Sequence, residues 1–171
     1  MKLVDYLRRE DILMGLTPGS KAEVLQQIVD YIGRIRGMDE FLKKALYQKL
    51  LFREQLKSTG IGNKIAVPHA ILESISQTFV CLAICQEGTD FDSIDKESVH
   101  LILTLVGPLK DRPLHLRLLA CIARLMIRPE IPKQILESET PDQIYRILEK
   151  SEKSSDCLLK KDGFGKKTFG G

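Results

Sequence analysis

The chain has 171 residues, 43% hydrophobic, 29% charged and 6% aromatic, which describes an ordinary globular protein and excludes disordered and fibrous classes. Its 26 Lys and Arg stand against 23 Asp and Glu, a formal charge of +3, and residues 151–171 supply +2 of it through five lysines and three acids. So nearly neutral a body, with no tryptophan to stack on a base, excludes nucleic acid as an expected partner.

At this length one core suffices without disulfides. Residues 1–16 mix Lys2, Asp5, Arg8, Arg9, Glu10 and Asp11 among apolar residues, so no uncharged signal-peptide centre is present. No stretch approaches the ~20 apolar residues that span a bilayer. A cytoplasmic protein without direct membrane insertion is expected. Residues 12–16 are a short strand candidate. Ser20 and Glu23 then form a capping box ahead of Val24, Leu25, Ile28, Ile32 and Ile35 at helical spacing, and Gly37 ends that helix. Asp39 caps a second helix running through Glu54, with Leu42, Ala45, Leu46 and Leu50 on one face and Arg53 near its end.

Residues 55–63, QLKSTGIGN, are polar with two glycines and read as a loop. Residues 65–67 are a short strand candidate, and residues 78–86 and 98–106 are core strands joined by an acidic turn. In that strand register Cys81 and Cys85 lie ~13 Å apart, too far for a disulfide. Cys121 reads as a core thiol and Cys157 as an exposed one. An apolar helix occupies residues 114–128, with Pro113 at its start and Pro129 after it, and a last amphipathic helix starts at Thr140. The predicted fold is α/β: a single domain over residues 1–150 with a central mixed sheet flanked by helices on both faces. Residues 151–171, rich in Lys, Ser and Gly, are expected to form a flexible polar tail.

Several nucleotide and metal motifs fail on spacing. Gly60-Ile61-Gly62 has Ile65 where a dinucleotide fingerprint needs glycine, and Asn63 separates Gly62 from Lys64 where a P-loop needs Gly-Lys. Asp90, Asp92 and Asp95 lack the glycine and final glutamate of a calcium loop and read as a solvated turn. His69 and His115 could be two ligands of a metal, but the further ligands a metal site requires are not evident, and neither metal nor cofactor is expected.

The three histidines carry the remaining chemistry. His100, opening an apolar strand, reads as structural. His69 follows Pro68 just after the glycine loop, where a fixed backbone can present an imidazole at a surface edge. His115 stands in the first turn of a helix, where the dipole disfavours imidazolium and favours a nearby anion. On residue type alone, His69 and His115 stay open between structural and functional roles.

The segment Ser58-Thr59-Gly60-Ile61-Gly62-Asn63-Lys64-Ile65-Ala66-Val67-Pro68-His69-Ala70 resembles the phosphorylation signature of the fructose/mannitol-type enzyme IIA of the phosphoenolpyruvate-dependent sugar phosphotransferase system. It also resembles the stand-alone nitrogen-regulatory branch of that family. Arg53, sixteen residues before His69, and His115, forty-six after it in His-Leu-x-x-Leu-Leu, agree with the pattern. Lys64 departs from it, since many relatives carry glycine there. The resemblance implies that His69 accepts a phosphoryl group from a phosphorylated HPr-type carrier protein and passes it on, making the chain a phosphotransferase component. Arg53 then supplies a permanently charged fork and His115 a hydrogen bond, with Ser58, Thr59, Gly60 and Gly62 forming a phosphoryl-binding loop. The recipient is a IIB component. The alternative is a regulatory protein-binding module, in which phosphorylation changes what a target protein recognises.

Overall fold

The structure, a computed structural model, describes residues 1–159. Its elements are β1 (Ile12–Leu13), α1 (Lys21–Arg36), α2 (Glu40–Leu56), β2 (Gly60–Gly62), β3 (Ile65–Ala66), β4 (His69–Ile71), β5 (Phe79–Thr89), β6 (Val99–Gly107), α3 (Arg112–Met126), α4 (Glu130–Glu137) and α5 (Pro141–Leu159). The strands form one mixed sheet in the order β1-β5-β6-β3-β2. Strands β5 and β6 are antiparallel, while β3 and β4 lie one after the other along the same edge of β6 and parallel to it.

Strand β5 shows why the layers form. Val80, Leu82 and Ile84 pack into one cluster with Leu118 and Ile122 of α3, Ile135 of α4 and Leu148 of α5. Their alternate neighbours Phe79, Cys81, Ala83 and Cys85 pack into a second with Val24 and Ile28 of α1 and Leu46 and Leu50 of α2. Burial on both faces requires the unbroken apolar runs seen in the sequence, each full Leu or Ile contributing about 1.5–3 kcal/mol. The fold is therefore the expected α/β sandwich of helices around a mixed sheet. No helix among the described residues is long and apolar enough to cross a membrane.

The first two helices begin as their caps dictate. Ser20 Oγ accepts from the Glu23 N–H while Glu23 Oε2 accepts from the Ser20 N–H, and Gly37 closes α1 at φ 65°. Asp39 Oδ1 accepts from the Leu42 N–H at 2.8 Å to start α2. Cys81, Cys85 and Cys121 are free thiols, and Cys121 Sγ donates to Glu152 Oε1 at 3.6 Å.

Three elements have no counterpart in the sequence pattern: β2, which lies within the segment read as a loop, β4 and α4. Helix α4 carries Pro132 in its first turn, where a missing N–H costs no hydrogen bond, and it forms because Ile131 and Ile135 reach the core. Strand β4 is only three residues long and exists through its register with β6, His69 opposite Leu105.

The tail boundary also changes. Helix α5 continues beyond Lys150 to Leu159. Glu152, placed by the sequence in the flexible tail, is buried and accepts hydrogen bonds from the backbone N–H groups of Leu3 and Val4. A carboxylate that satisfies the N–H groups of Leu3 and Val4 ties the first residues to α5, a pairing no local pattern reveals. The exposed thiol expected at Cys157 and the tail over residues 160–171 lie outside the described side chains and residues respectively.

Candidate functional site

His69 opens β4, and its backbone is fixed on both sides: the Leu105 N–H donates to the Pro68 carbonyl at 3.0 Å, and the following residues pair with β6. The ring is half-buried and bonded at both nitrogens. Nδ1 lies 2.9 Å from the Val67 carbonyl oxygen, which can only accept, so Nδ1 carries the proton. Nε2 receives the Arg53 Nε–H at 3.1 Å, so it holds the lone pair. Burial lowers the pKa from its ordinary 6.5; the Val67 carbonyl opposes this, and the Arg53 charge adds to it. The result is a neutral imidazole at neutral pH with its nucleophilic pair on Nε2.

Arg53 sits in the last turn of α2, where the helix dipole favours a cation. Its Nη1 donates to the Lys57 carbonyl at 2.8 Å, one turn on, which aims the guanidinium at His69. Glu54 secures that turn. It is 5% exposed, its Oε1 and Oε2 accept from the Thr59 N–H at 2.9 Å and hydroxyl at 2.6 Å, and Lys21 Nζ lies 3.2 Å from Oε1.

His115 comes from the opposite layer, in the first turn of α3, and is 3% exposed. Its ring lies 5.7 Å from that of His69, edge to face at 61°. Gly107, ending β6, makes this approach possible: a Cβ there would stand 2.9 Å from Thr78 Oγ1 and 3.4 Å from His115 Nδ1. Burial, then the nearby His69 and Arg112, pushes His115 down to a pKa of about 4. Its Nδ1 is buried with no hydrogen-bond partner. A buried acceptor without a partner is tolerated more readily than a buried N–H without one, which assigns the bare nitrogen to Nδ1 and the proton to Nε2, available to an anion.

Thus the structure brings together Arg53, His69 and His115. It does not add the glycine loop to them. The Thr59 N–H is held by Glu54, the Gly60 N–H by Ser58 Oγ at 3.1 Å and the Gly62 N–H by Ser93 Oγ at 3.2 Å, while the Ser58 hydroxyl itself donates to the Phe91 carbonyl. Strands β2 and β3 form a hairpin there, turned by Asn63 and Lys64 at φ 55° and 68°. The N–H groups of Thr59, Gly60 and Gly62 thus have partners within the protein, and the loop expected to bind a phosphoryl group braces the segment that leads to His69. The acidic turn, read as merely solvated, is part of that brace: Asp95 Oδ2 accepts from the Asn63 N–H at 3.1 Å. His100 is elsewhere, with Nδ1 donating to the Gln86 carbonyl at 3.1 Å.

His69 and His115 line an open cleft of about 320 Å³, together with Lys49, Phe52, Arg53, Leu56, Arg112 and Leu116 among others. Sequence reading missed Lys49, Phe52, Leu56, Arg112 and Leu116. A signal for four of the cleft residues was present: Lys49, Phe52, Arg53 and Leu56 follow one another at i, i+3, i+4 and i+7, a second stripe on α2 beside the one that faces the core. Among the described residues no group of three or more His, Cys, Asp or Glu is arranged to hold a metal.

Residues 5–151 match the family model described as phosphoenolpyruvate-dependent sugar phosphotransferase system, EIIA 2. A nitrogen regulatory protein of Bradyrhizobium diazoefficiens is 32% identical over 148 residues, covering 86% of this chain and 95% of that protein. The fructose-specific EIIABC component of Bacillus subtilis is 29% identical over 153 residues, which are 90% of this chain and 24% of that much longer protein. The fold is that of the nitrogen regulatory protein IIA-Ntr from Neisseria meningitidis, at a TM-score of 0.77 and 23% identity, covering 85% of this chain and 97% of the other. With a match over nearly all of its described length, the chain belongs to the EIIA 2 family of the phosphoenolpyruvate-dependent sugar phosphotransferase system.

Proposed function

We propose that this protein is a cytoplasmic phosphohistidine carrier in which Nε2 of His69 takes a phosphoryl group from a phosphorylated HPr-type carrier protein and hands it to a IIB component. The observation that carries the reading is the pair of hydrogen bonds on His69, which leave the proton on Nδ1 and the lone pair on Nε2 beside a fixed guanidinium. As phosphorus approaches, the Nε2–P bond forms while the bond from phosphorus to the donor breaks, its electron pair returning to the donor. No proton has to move, because Nδ1 keeps its own against the Val67 carbonyl.

Phosphoryl transfer asks for alignment and for charge on the equatorial oxygens. Arg53 is tethered through Nη1, so its Nε–H exchanges the imidazole nitrogen for a phosphoryl oxygen by a small rotation. His115 donates from Nε2, and it stays neutral because a second cation of that depth would cost more than it returns. No metal or nucleotide takes part. A mixture of phosphoenolpyruvate, the general first enzyme of the system and an HPr-type carrier labels the wild type and leaves His69→Ala unlabelled; equal labelling of the variant overturns the reading.

A second reading rests on the nitrogen regulatory relatives, which align along nearly their whole length. In it the dianionic phosphate on His69 serves to change which target protein is bound. A IIB protein that removes the label supports transport, and a target retained by only one phosphorylation state supports regulation.

A further inference from the structure

Glu54 stands in the last turn of α2, where the helix dipole disfavours an anion, and it is almost wholly buried. A carboxylate at that depth is costly unless its oxygens are used. They are. Oε1 accepts from the Thr59 N–H and lies beside Lys21 Nζ, while Oε2 accepts from the Thr59 hydroxyl. Thr59 is itself buried, so this clamp is closed to solvent.

Two paths run from the clamp to His69, one to each ring nitrogen. Joining residue 54 to residue 59 fixes the segment between them, which carries the Lys57 carbonyl. That carbonyl accepts from Arg53 Nη1 and so directs the Arg53 Nε–H to His69 Nε2. On the other path the Thr59 carbonyl accepts from the Val67 N–H at 3.0 Å, and the Val67 carbonyl accepts from His69 Nδ1. Val67 lies in the gap between β3 and β4, and the peptide bearing its carbonyl ends on Pro68, which has no N–H. The sheet therefore has no donor with which to hold that peptide plane. The bond to Thr59 orients it from upstream, as the Leu105 N–H bond to the Pro68 carbonyl does from downstream.

Resting on the phosphocarrier reading above, we infer that Glu54 and Thr59 are positioning residues for the acceptor: one buried clamp holds both carbonyls that keep the His69 proton on Nδ1 and the guanidinium at Nε2. They act through Val67 and Arg53, and neither bonds to the ring. An imidazole released from the Val67 carbonyl shares its proton between the two nitrogens, and each molecule protonated on Nε2 has no nucleophilic pair there. A displaced guanidinium adds misalignment to that loss.

The test uses the full chain and two readouts: nitrogen-15 spectra of the histidines with no phosphoryl donor present, and single-turnover labelling by rising concentrations of a phosphorylated HPr-type carrier. Wild-type His69 is one tautomer, protonated on Nδ1. Thr59→Val keeps the N–H and the shape but loses the hydroxyl, and it lowers the ratio of Nδ1–H to Nε2–H about tenfold, the effect one hydrogen bond sustains. Its limiting rate of labelling falls about tenfold, with the half-saturating carrier concentration unchanged because the cleft surface is intact. Thr59→Ser restores both readouts, and Ile144→Val, which loses a methyl from the core beneath α5, moves neither. Glu54→Ala moves both further; should that variant fail to fold, the two Thr59 variants decide. A wild-type value of either readout in Thr59→Val, or an equal change in Ile144→Val, overturns the inference. If no label reaches His69 in wild type, the carrier reading fails, while the tautomer ratio, measured without a donor, still decides the clamp.

Discussion

The β2–β3 hairpin and the cleft that opens at His69 are two residues apart in the chain, and they use their polar groups in opposite ways. In the hairpin three N–H groups have side-chain partners: Ser58 Oγ for Gly60, Ser93 Oγ for Gly62 and Asp95 for Asn63. Around the cleft, His115 Nδ1 is buried without one, His69 holds its lone pair toward a guanidinium, and three cations face no carboxylate. Occupied groups fix a shape, while groups with capacity left over recognise something that arrives from outside. The glycine-rich signature is thus a brace that sets where His69 stands, and the groups with capacity left over are side chains contributed by α2, β4 and α3.

That division gives two kinds of variant, and the sharpest comes from the cleft. Arg53→Ala slows phosphoryl acceptance by about 10²–10³, equivalent to about 3–4 kcal/mol of lost transition-state stabilisation. Since the removed side chain gives up two hydrogen bonds, to His69 and the Lys57 carbonyl, from a half-buried position, Tm moves by no more than about 2–4 °C. A rapid-quench transfer assay beside a thermal melt reads both.

Next is the pH dependence set by His115. Its folded pKa, about 4, lies below the ordinary 6.5, so the unfolded chain takes up a proton before the folded one does. The stability this neutral ring contributes is complete above pH 6.5 and disappears as pH falls through 4. Over that window wild type loses about 3 kcal/mol relative to His115→Gln, the equivalent of one extra proton bound by the unfolded state. Denaturant titrations at several pH values detect it as a difference in slope. His69 shifts the same way, and acceptance of phosphate in wild type therefore holds its rate to below pH 6.5.

In the hairpin the balance is reversed. Gly60→Ala places a methyl 2.8 Å from the Ser93 backbone Cα and costs about 1–3 kcal/mol of stability, while transfer measured well below Tm is unchanged. A loss of transfer with an unaltered melt would return the glycines to the site. The smallest effect belongs to Lys64→Gly. Lys64 at φ 68° bears about 1–2 kcal/mol of left-handed strain, offset on replacement by about 0.5–1 kcal/mol of glycine chain entropy. The variant is more stable by about 0.5 kcal/mol and transfers at the wild-type rate.

What the sequence disclosed follows from locality. Caps at Ser20 and Asp39 and the two apolar strands depend on residues a few positions apart, and they stand where the pattern put them. Arg53, His69 and His115 were legible as a set only through the family resemblance, since residue type alone left both histidines open between structural and functional roles. Long-range bonds left no such trace. Glu152 reaches the N-terminus across 148 or 149 positions, and Ser93 reaches Gly62 across 31, so the ordered extension of α5 and the role of the acidic turn were hidden. The partners of the glycine loop were hidden for a related reason. Its composition shows N–H groups that can turn toward an anion, but whether they are already occupied depends on a segment thirty residues away.

The most direct measurement is the nitrogen on which phosphorus is carried. After incubation with phosphoenolpyruvate, the general first enzyme and an HPr-type carrier, nitrogen-15 and phosphorus-31 spectra of the labelled protein distinguish the two imidazole positions at each histidine. The account predicts a single phosphohistidine at His69, bonded through Nε2, with Nδ1 still protonated against the Val67 carbonyl. Phosphorus on Nδ1 of His69, or on His115, would contradict it.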